Sequence, residues 1–152
     1  MTTFSHSDYK CKGTALRLNL HPAHSFCEGF VVAELAAQSS IESSNQNGET
    51  IEATFDWSNA FVRKIERDDL AEICRVIRGE RHDLDYANDI FCGHRDAFQF
   101  THILDPKPGF ILRIRHTEDN HVSYLEITLT TTEAYALLRA FDYALARVMF
   151  AE

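Results

Sequence analysis

Hydrophobic and polar residues alternate along several stretches of this 152-residue chain. Between residues 14 and 20, leucine occupies positions 16, 18 and 20, with Ala15, Arg17 and Asn19 between and before them. A period of two places successive side chains on opposite faces of a strand, so this stretch predicts a half-buried strand. Similar patterns and short apolar runs predict strands at 14–20, 29–38, 51–57, 60–66, 90–94, 97–104, 110–116 and 121–129.

Helical spacing replaces alternation in two places. In the first, Leu70, Ile73 and Ile77 recur three or four residues apart, Asp68 or Asp69 is a suitable N-cap, and a glycine follows. The second predicted helix spans 131–150. Thr130 and Glu133 form a capping-box pattern at its start, and its apolar stripe is Leu137, Phe141, Ala144, Leu145 and Val148, widened by Tyr135, Leu138 and Met149.

The resulting order is four strands and a helix, followed by four strands and a helix. We therefore predict an α+β fold built from two ββββα units, in which helices pack on antiparallel sheets. The length suits one domain over residues 1–152. Residues 1–8 are expected to be a flexible N-terminus, and the polar segment 39–50 is expected to be a mobile loop.

Composition adds three expectations. The hydrophobic fraction of 45% is typical of globular proteins, and neither a membrane-spanning run nor a signal peptide is evident, so we expect a cytoplasmic or otherwise intracellular protein. Cysteines at 11, 27, 74 and 92 are scattered, which favours free thiols over a metal site, and we predict no metal and no cofactor. The formal net charge of −8 argues mildly against nucleic acid as a partner.

The charges are unevenly distributed. The segment between Arg17 and Arg63 contains acidic residues but neither lysine nor arginine. Local patches determine binding more than the total charge does, so the basic residues elsewhere still allow an anionic partner.

Enzyme chemistry is not predicted. His82 with Asp83, Asp85 and Asp89, or His94 with Asp96, offers metal-ligating side chains. However, the chain has no nucleophile elbow, P-loop, GxGxxG or HExxH motif, and no base and nucleophile stand at a suitable spacing.

Three stretches resemble one known family. The first, YKCKGTAL at 9–16, is similar to a Y-K-G-K-A-A-L strand of the Whirly-type single-stranded-DNA-binding proteins. The second, FDWS at 55–58, resembles that family's aromatic-D-W-S segment, and the third, 127–145, resembles its last strand and C-terminal helix. Cys11 stands where the family has glycine, and one extra residue precedes Ala15. The family shares its fold with trypanosome guide-RNA-binding proteins.

The resemblance implies binding of single-stranded DNA or RNA over the sheets with little sequence preference, a role in transcription or nucleic-acid metabolism, and a homo-oligomer, suspected to be a tetramer with its helices at the centre. Extended strands are bound by cations that contact phosphates and by flat side chains that stack on bases. The candidate contacts, taken from the resemblance and from strand parity, are Tyr9, Lys10, Lys12, Arg17, Arg63, Lys64, Arg113, Arg115 and Tyr124.

Several aromatic and basic residues are also explained by a purely structural role. Phe98 and Phe100 are expected in the core, and Trp57 is expected to be a packing anchor. Arg113 and Arg115 are equally consistent with ion pairs to Glu126 across strands. The alternative function is an oligomeric protein-interaction module that has this fold without nucleic-acid binding.

Overall fold

The computed structural model of the chain describes residues 2–8, 13–43, 51–80, 83–85, 90–91, 94–104 and 107–150. It describes side chains over 13–39, 54–80, 98–104 and 107–150.

The first sheet is antiparallel and centres on one long strand. Its five strands are β1 (Thr2–Asp8), β2 (Thr14–His21), β3 (Phe30–Ser43), β4 (Ile51–Phe55) and β5 (Phe61–Ile65). β2 pairs with one edge of β3, and β1 pairs with β2. β4 and β5 share the other edge of β3, because β4 pairs with its second half and β5 with its first half. The sheet is therefore four strands wide.

The second sheet repeats this arrangement. Its strands are β6 (Asp83–Asp85), β7 (Ile90–Phe91), β8 (His94–Ile103), β9 (Gly109–Glu118) and β10 (His121–Thr130). β10, β9 and β8 are consecutive neighbours, and β6 and β7 share the free edge of β8. Helix α1 (Arg67–Ile77) follows the first sheet and α2 (Thr131–Met149) follows the second. The predicted α+β fold of two sheet-plus-helix units is confirmed.

The structure differs from the expected boundaries in several places. Thr2–Asp8, expected to be flexible, forms β1, because its backbone pairs along the edge of β2. Residues 39–43 of the expected loop continue β3, and 44–50 lie outside the described residues. β1 and β6 were not predicted as strands. The strand expected over 51–57 ends at Phe55, since a 3₁₀ turn begins at Trp57.

Both helices begin with a capping box. Thr130 accepts a hydrogen bond from the Glu133 backbone N–H at 3.1 Å, which confirms the predicted start of α2. In α1 the N-cap is Glu66 instead of the predicted Asp68 or Asp69, and the Asp69 carboxylate accepts from the Glu66 backbone N–H at 3.3 Å. Each box satisfies backbone donors that the first helical turn leaves without partners.

The helices and the inward faces of both sheets form one core. α1 packs against α2 and β8, and α2 also contacts β3, β9 and β10. Phe98, Phe100 and Phe141 are the largest fully buried side chains among the described residues, so the expectation that the first two are core residues is confirmed. β10 also contacts β2 and β3, which brings the two sheets together along their inner surfaces.

The turn between β2 and β3 closes the C-terminal end of α2. The backbone N–H groups of Ala23 and Gly29 donate to the carbonyls of Arg147 and Val148 at 2.8 and 3.1 Å. These are carbonyls that the end of a helix leaves without intrahelical partners. A Cβ at residue 29 would lie 2.2 Å from the His21 carbonyl oxygen, so the close approach requires glycine.

Candidate nucleic-acid interface

The outward face of the first sheet carries an ion pair at its middle. Arg17 on β2 lies directly opposite Glu34 on β3, and its Nε donates to Glu34 Oε2 at 2.7 Å. The same oxygen accepts from Asn19 Nδ2 at 2.8 Å. Leu16 and Leu18, the neighbours of Arg17 on the other side of β2, are buried. Strand alternation therefore places Arg17 on the outward face, as predicted.

Trp57 lies over this ion pair. The Arg17 guanidinium carbon is 4.1 Å from the centre of the indole ring. Trp57 was expected to be a packing anchor near the end of a strand, and its place in a 3₁₀ turn is not given by strand alternation. The structure instead makes it a half-buried aromatic side chain beside a cation on the outward face.

Asp56 holds that turn in place. Its carboxylate accepts from Ser58 Oγ at 2.6 Å and from Asn59 Nδ2 at 2.8 Å, and these bonds lower the pKa of Asp56 below its usual value. The Asp56 backbone N–H donates to the Ala37 carbonyl of β3 at 2.9 Å. Trp57 is thus tied to the sheet through the residue that precedes it.

A second cation and aromatic pair lies near the other end of the same face. The Lys64 ammonium is 4.4 Å from the centre of the Phe30 ring, and Phe30 stacks on His21 with 4.6 Å between ring centres. Lys64 also forms an ion pair with Glu66 at 3.4 Å. Phe30 and His21 are flat side chains that were not among the predicted contacts, although Phe30 lies within the predicted strand 29–38 and His21 directly follows the predicted strand 14–20.

The outward face of the second sheet repeats the first motif with different residues. Arg113 on β9 lies opposite Glu126 on β10, and its Nε donates to Glu126 Oε2 at 2.8 Å. Its guanidinium carbon is 4.8 Å from the centre of the Tyr124 ring, and its Nη1 donates to Gln99 Oε1 at 3.4 Å. Tyr124 is 54% exposed, so much of its surface remains available to a ligand.

Arg115 differs from Arg113. It lies directly opposite Tyr124 in the register of β9 and β10 and is half-buried. Among the residues whose side chains the structure describes, no carboxylate forms a salt bridge with Arg115. The ion-pair interpretation therefore applies to Arg113, which is bound to Glu126, and not to Arg115.

Arg63 requires a correction. On β5 it lies opposite Ala33, on the same side as Ile65, and it is 7% exposed. Strand parity turns it into the molecule while its neighbour Lys64 faces outward, so Arg63 is not available to a ligand on the outward face. Tyr9, Lys10 and Lys12 lie outside the described residues.

An open cleft of about 500 Å³ lies between the two sheets. Residues 59–62 line one side, and Ile114, His116 and Ser123 line the other. Its lining mixes apolar side chains with polar ones that donate or accept hydrogen bonds. The cleft adjoins the turn that carries Trp57.

Other chemistry has less support among the described residues. Where side chains are described, no group of three or more His, Cys, Asp or Glu residues could hold a metal ion. His82, Asp83, Asp85, Asp89, His94 and Asp96, the alternative metal ligands, have no described side chains. Burial, and then the charge of Asp142, raises the pKa of the Cys74 thiol to about 11, so that thiol is a poor nucleophile. No helix in the described ranges has the length and hydropathy to cross a membrane.

Solved structures resemble this chain over nearly its whole length. WHY1 from Arabidopsis thaliana superposes with a TM-score of 0.74 at 18% identity, covering 97% of this chain and 86% of WHY1. The plant transcriptional regulator PBF-2 gives a TM-score of 0.68 at 17% identity, covering 98% and 84% of the two chains. A guide-RNA-binding protein complex bound to a guide RNA gives 0.64 at 16% identity, covering 94% and 88%.

At the level of sequence, no protein-family model and no curated protein matches the chain. Identities of 16 to 18% show fold and not activity. The predicted resemblance is confirmed at that level. The chain has the fold that plant Whirly proteins share with guide-RNA-binding proteins.

Proposed function

We propose that this chain binds single-stranded DNA or RNA across the outward faces of its two sheets, with little sequence preference. The observation that carries the proposal is the recurrence of an arginine beside an aromatic ring on both faces: Arg17 with Trp57, and Arg113 with Tyr124. Base stacking on such rings contributes about 1–3 kcal/mol per base, and cations add a salt-dependent phosphate contact.

This arrangement suits a single strand better than a duplex. Bases stack on protein rings only when they are exposed, whereas a duplex stacks them internally. Stacking does not discriminate between bases, because every base has a π-face, so little sequence preference is expected. Lys64 and Arg115 supply further cations on the two outward faces, and Tyr9, Lys10 and Lys12 are proposed contacts from the resemblance alone.

The neighbours in fold support the same proposal. One is described as a guide-RNA-binding complex bound to its RNA, and another as a plant transcriptional regulator. A role in transcription or another part of nucleic-acid metabolism, performed without catalysis and inside the cell, is the corresponding proposal for this chain.

We also propose that the chain forms a homo-oligomer, with a tetramer as the suspected state, through α2. Tyr135, Tyr143 and Met149 are 55%, 48% and 44% exposed, and helical periodicity places them on one side of α2. Phe150 follows at 66% exposure. Exposed apolar surface of this kind is typical of an interface, and a second copy of the chain would cover it.

A protein-interaction module is the second candidate. Two observations favour it: the net charge of −8, and the ion pairs that occupy Arg17 and Arg113. Such a module would use the same exposed surface of α2 but would leave the sheet faces without a nucleic-acid ligand.

Fluorescence anisotropy distinguishes nucleic-acid binding from a protein-interaction module. Labelled single-stranded DNA and RNA are titrated at two salt concentrations, with duplex DNA as competitor. We expect salt-sensitive binding to single strands and weaker binding to duplex. Arg115→Ala should weaken binding and make the salt dependence shallower by about 0.7 in a plot of log K against log salt concentration, the value for one phosphate contact.

Arg75→Ala is the matched control. Arg75 is an exposed arginine on α1, paired with Glu72 at 3.0 Å, and its loss changes the net charge equally without touching either sheet face. Lys10→Ala with Lys12→Ala tests the contacts that rest on resemblance. If the wild-type chain binds no single strand even at low salt, the nucleic-acid proposal is wrong and the interaction module is the better account.

A further inference from the structure

The same unit occurs once on each sheet. In both, an arginine and a glutamate lie directly opposite on neighbouring strands, Arg17 with Glu34 and Arg113 with Glu126. In both, an aromatic ring lies over the guanidinium. The cation that is best placed to contact a phosphate beside a stacked base is therefore already paired with a carboxylate.

We infer that Glu34 and Glu126 limit the affinity of the two sheet faces for nucleic acid by neutralising Arg17 and Arg113. This inference rests on the proposed function. It adds an affinity-determining role for two acidic residues that lie within the proposed binding surface.

The two carboxylates are positioned to compete with phosphate for the guanidinium groups of Arg17 and Arg113. Glu34 is held by Arg17 Nε at 2.7 Å and by Asn19 Nδ2 at 2.8 Å, so its position is defined by two donors. Glu126 Oε2 accepts from Arg113 Nε at 2.8 Å and from Nη2 at 2.5 Å. Any phosphate that approaches either guanidinium also approaches a negative charge next to it, which offsets part of the attraction.

Partial burial strengthens the effect. The Glu34 side chain is 17% exposed and that of Arg17 is 35% exposed, so water screens this pair less than a pair on a fully exposed surface. The pair on the second sheet is more open, with 37% and 36% exposed. We therefore expect Glu34 to have the larger influence of the two.

The same arrangement explains how an acidic chain could carry a nucleic-acid surface. Neutralised arginines still present flat guanidinium groups beside aromatic rings, so stacking is retained while the phosphate contribution is reduced. Binding would then be moderate and readily reversed. The loss of affinity with salt would become steeper once the carboxylates are removed.

Glu34→Gln and Glu126→Gln test the inference, because glutamine keeps the shape and the hydrogen-bond acceptor and removes only the charge. Each substitution is expected to tighten single-strand binding about threefold at low salt, with the larger effect from Glu34→Gln, and both together about tenfold, since the sites lie on different sheets. The double variant should also steepen the salt dependence by about 1.4, or 0.7 for each arginine made available to a phosphate.

Glu72→Gln is the matched control. It removes one negative charge from a glutamate that is also paired with an arginine, Arg75, but on helix α1. A general effect of net charge would tighten binding equally in all three variants. The inference requires that Glu72→Gln change the affinity by less than about 1.5-fold, because Glu72 lies on α1 and not on either outward sheet face and solvent screens charges at a distance.

A double-mutant cycle gives a second measurement that a purely structural role would not alter. Arg17→Ala should weaken binding more in the Glu34→Gln background than in the wild-type chain, because only there does no adjacent carboxylate neutralise the guanidinium. Equal losses in the two backgrounds would overturn the inference. Weaker binding by Glu34→Gln itself would also overturn it, and would mean that the carboxylate serves to orient Arg17.

The outcomes separate this inference from the proposed function. If the wild-type chain binds single strands and the glutamine variants bind no tighter than Glu72→Gln, only the inference fails. If neither the wild-type chain nor the double variant binds, both fail. Binding by the double variant alone would support the inference and show that the native carboxylates suppress the activity.

Discussion

Trp57→Ala is the substitution that tests the proposed binding surface most directly. The indole is the only tryptophan in the chain and lies 4.1 Å from the Arg17 guanidinium, on the outward face of the first sheet. It is half-buried and is not part of the buried core. Its removal should therefore weaken ligand binding without opening a cavity in the buried core.

The size of the effect follows from stacking. Loss of one stacked base is worth about 1–3 kcal/mol. Because Arg17 already covers one face of the indole, we expect the lower half of this range, about 1–2 kcal/mol. That corresponds to an increase in Kd of about fivefold to thirtyfold. Loss of the cation–π contact contributes about 0.5–1 kcal/mol to the fall in fold stability, and loss of the apolar surface that the half-buried indole covers adds to it.

The assay is fluorescence anisotropy with a labelled single-stranded oligonucleotide, accompanied by thermal unfolding followed by circular dichroism. Trp57→Phe is the matched control, since phenylalanine keeps a flat ring over Arg17, and it should raise Kd by less than about threefold if stacking is the cause. The melting temperature of Trp57→Ala separates a loss of fold stability from a loss of binding, since binding is measured well below the unfolding transition. An unchanged Kd in Trp57→Ala, or equal losses in both variants, would refute the reasoning.

Three further predictions concern residues that support the interface and the fold. Hydrogen bonds from Ser58 and Asn59 lower the pKa of Asp56, so the stabilisation from its charged form should persist as pH falls to 3.8 and be lost only below that pH. The fluorescence emission of Trp57 should report this change, and Asp56→Asn should abolish the transition. The pKa of Cys74 is raised from 9.0 to about 11, so the stability that its neutral thiol contributes is complete below pH 9 and is lost as pH rises to 11. Denaturant titrations should show the wild-type chain losing about 2–3 kcal/mol over that interval relative to Cys74→Ala. Parallel pH profiles of the two proteins would contradict the raised pKa of Cys74. Gly29→Ala should lower the melting temperature by about 5 °C, because its Cβ would lie 2.2 Å from the His21 carbonyl oxygen and the turn would have to shift; an unchanged melting curve would mean that the turn does not depend on this close approach.

Local alternation of apolar and polar residues was sufficient to predict some strands of this chain and not others. β2, β8, β9 and β10 alternate clearly and were all predicted within a few residues. β1 was missed, because Thr2–Asp8 contains only one large apolar residue, Phe4, and gives no alternating signal. β1 is a strand because β2 offers its free backbone edge, and the sequence of β1 does not encode that edge.

The candidate interface shows the same division. Parity along β2 and β9 correctly placed Arg17 and Arg113 on outward faces. It could not reveal that Arg17 faces Glu34, which requires the register between strands separated by a turn. It also left Arg63 and Lys64 as equal candidates, and only the position of β5 against β3 decided that Arg63 turns inward.

The sequence alone determined eight of the ten described strands and both helices in their order along the chain, the boundaries of α2 and the outward side of the well-patterned strands. These depend on interactions within a few residues: side-chain alternation, helical spacing and the Thr130–Glu133 capping box. Tertiary structure alone decided which charges are paired, where Trp57 lies and which sheet edges β1 and β6 join. Those features depend on register and packing between segments that are distant in the chain, so patterns within a few residues do not predict them.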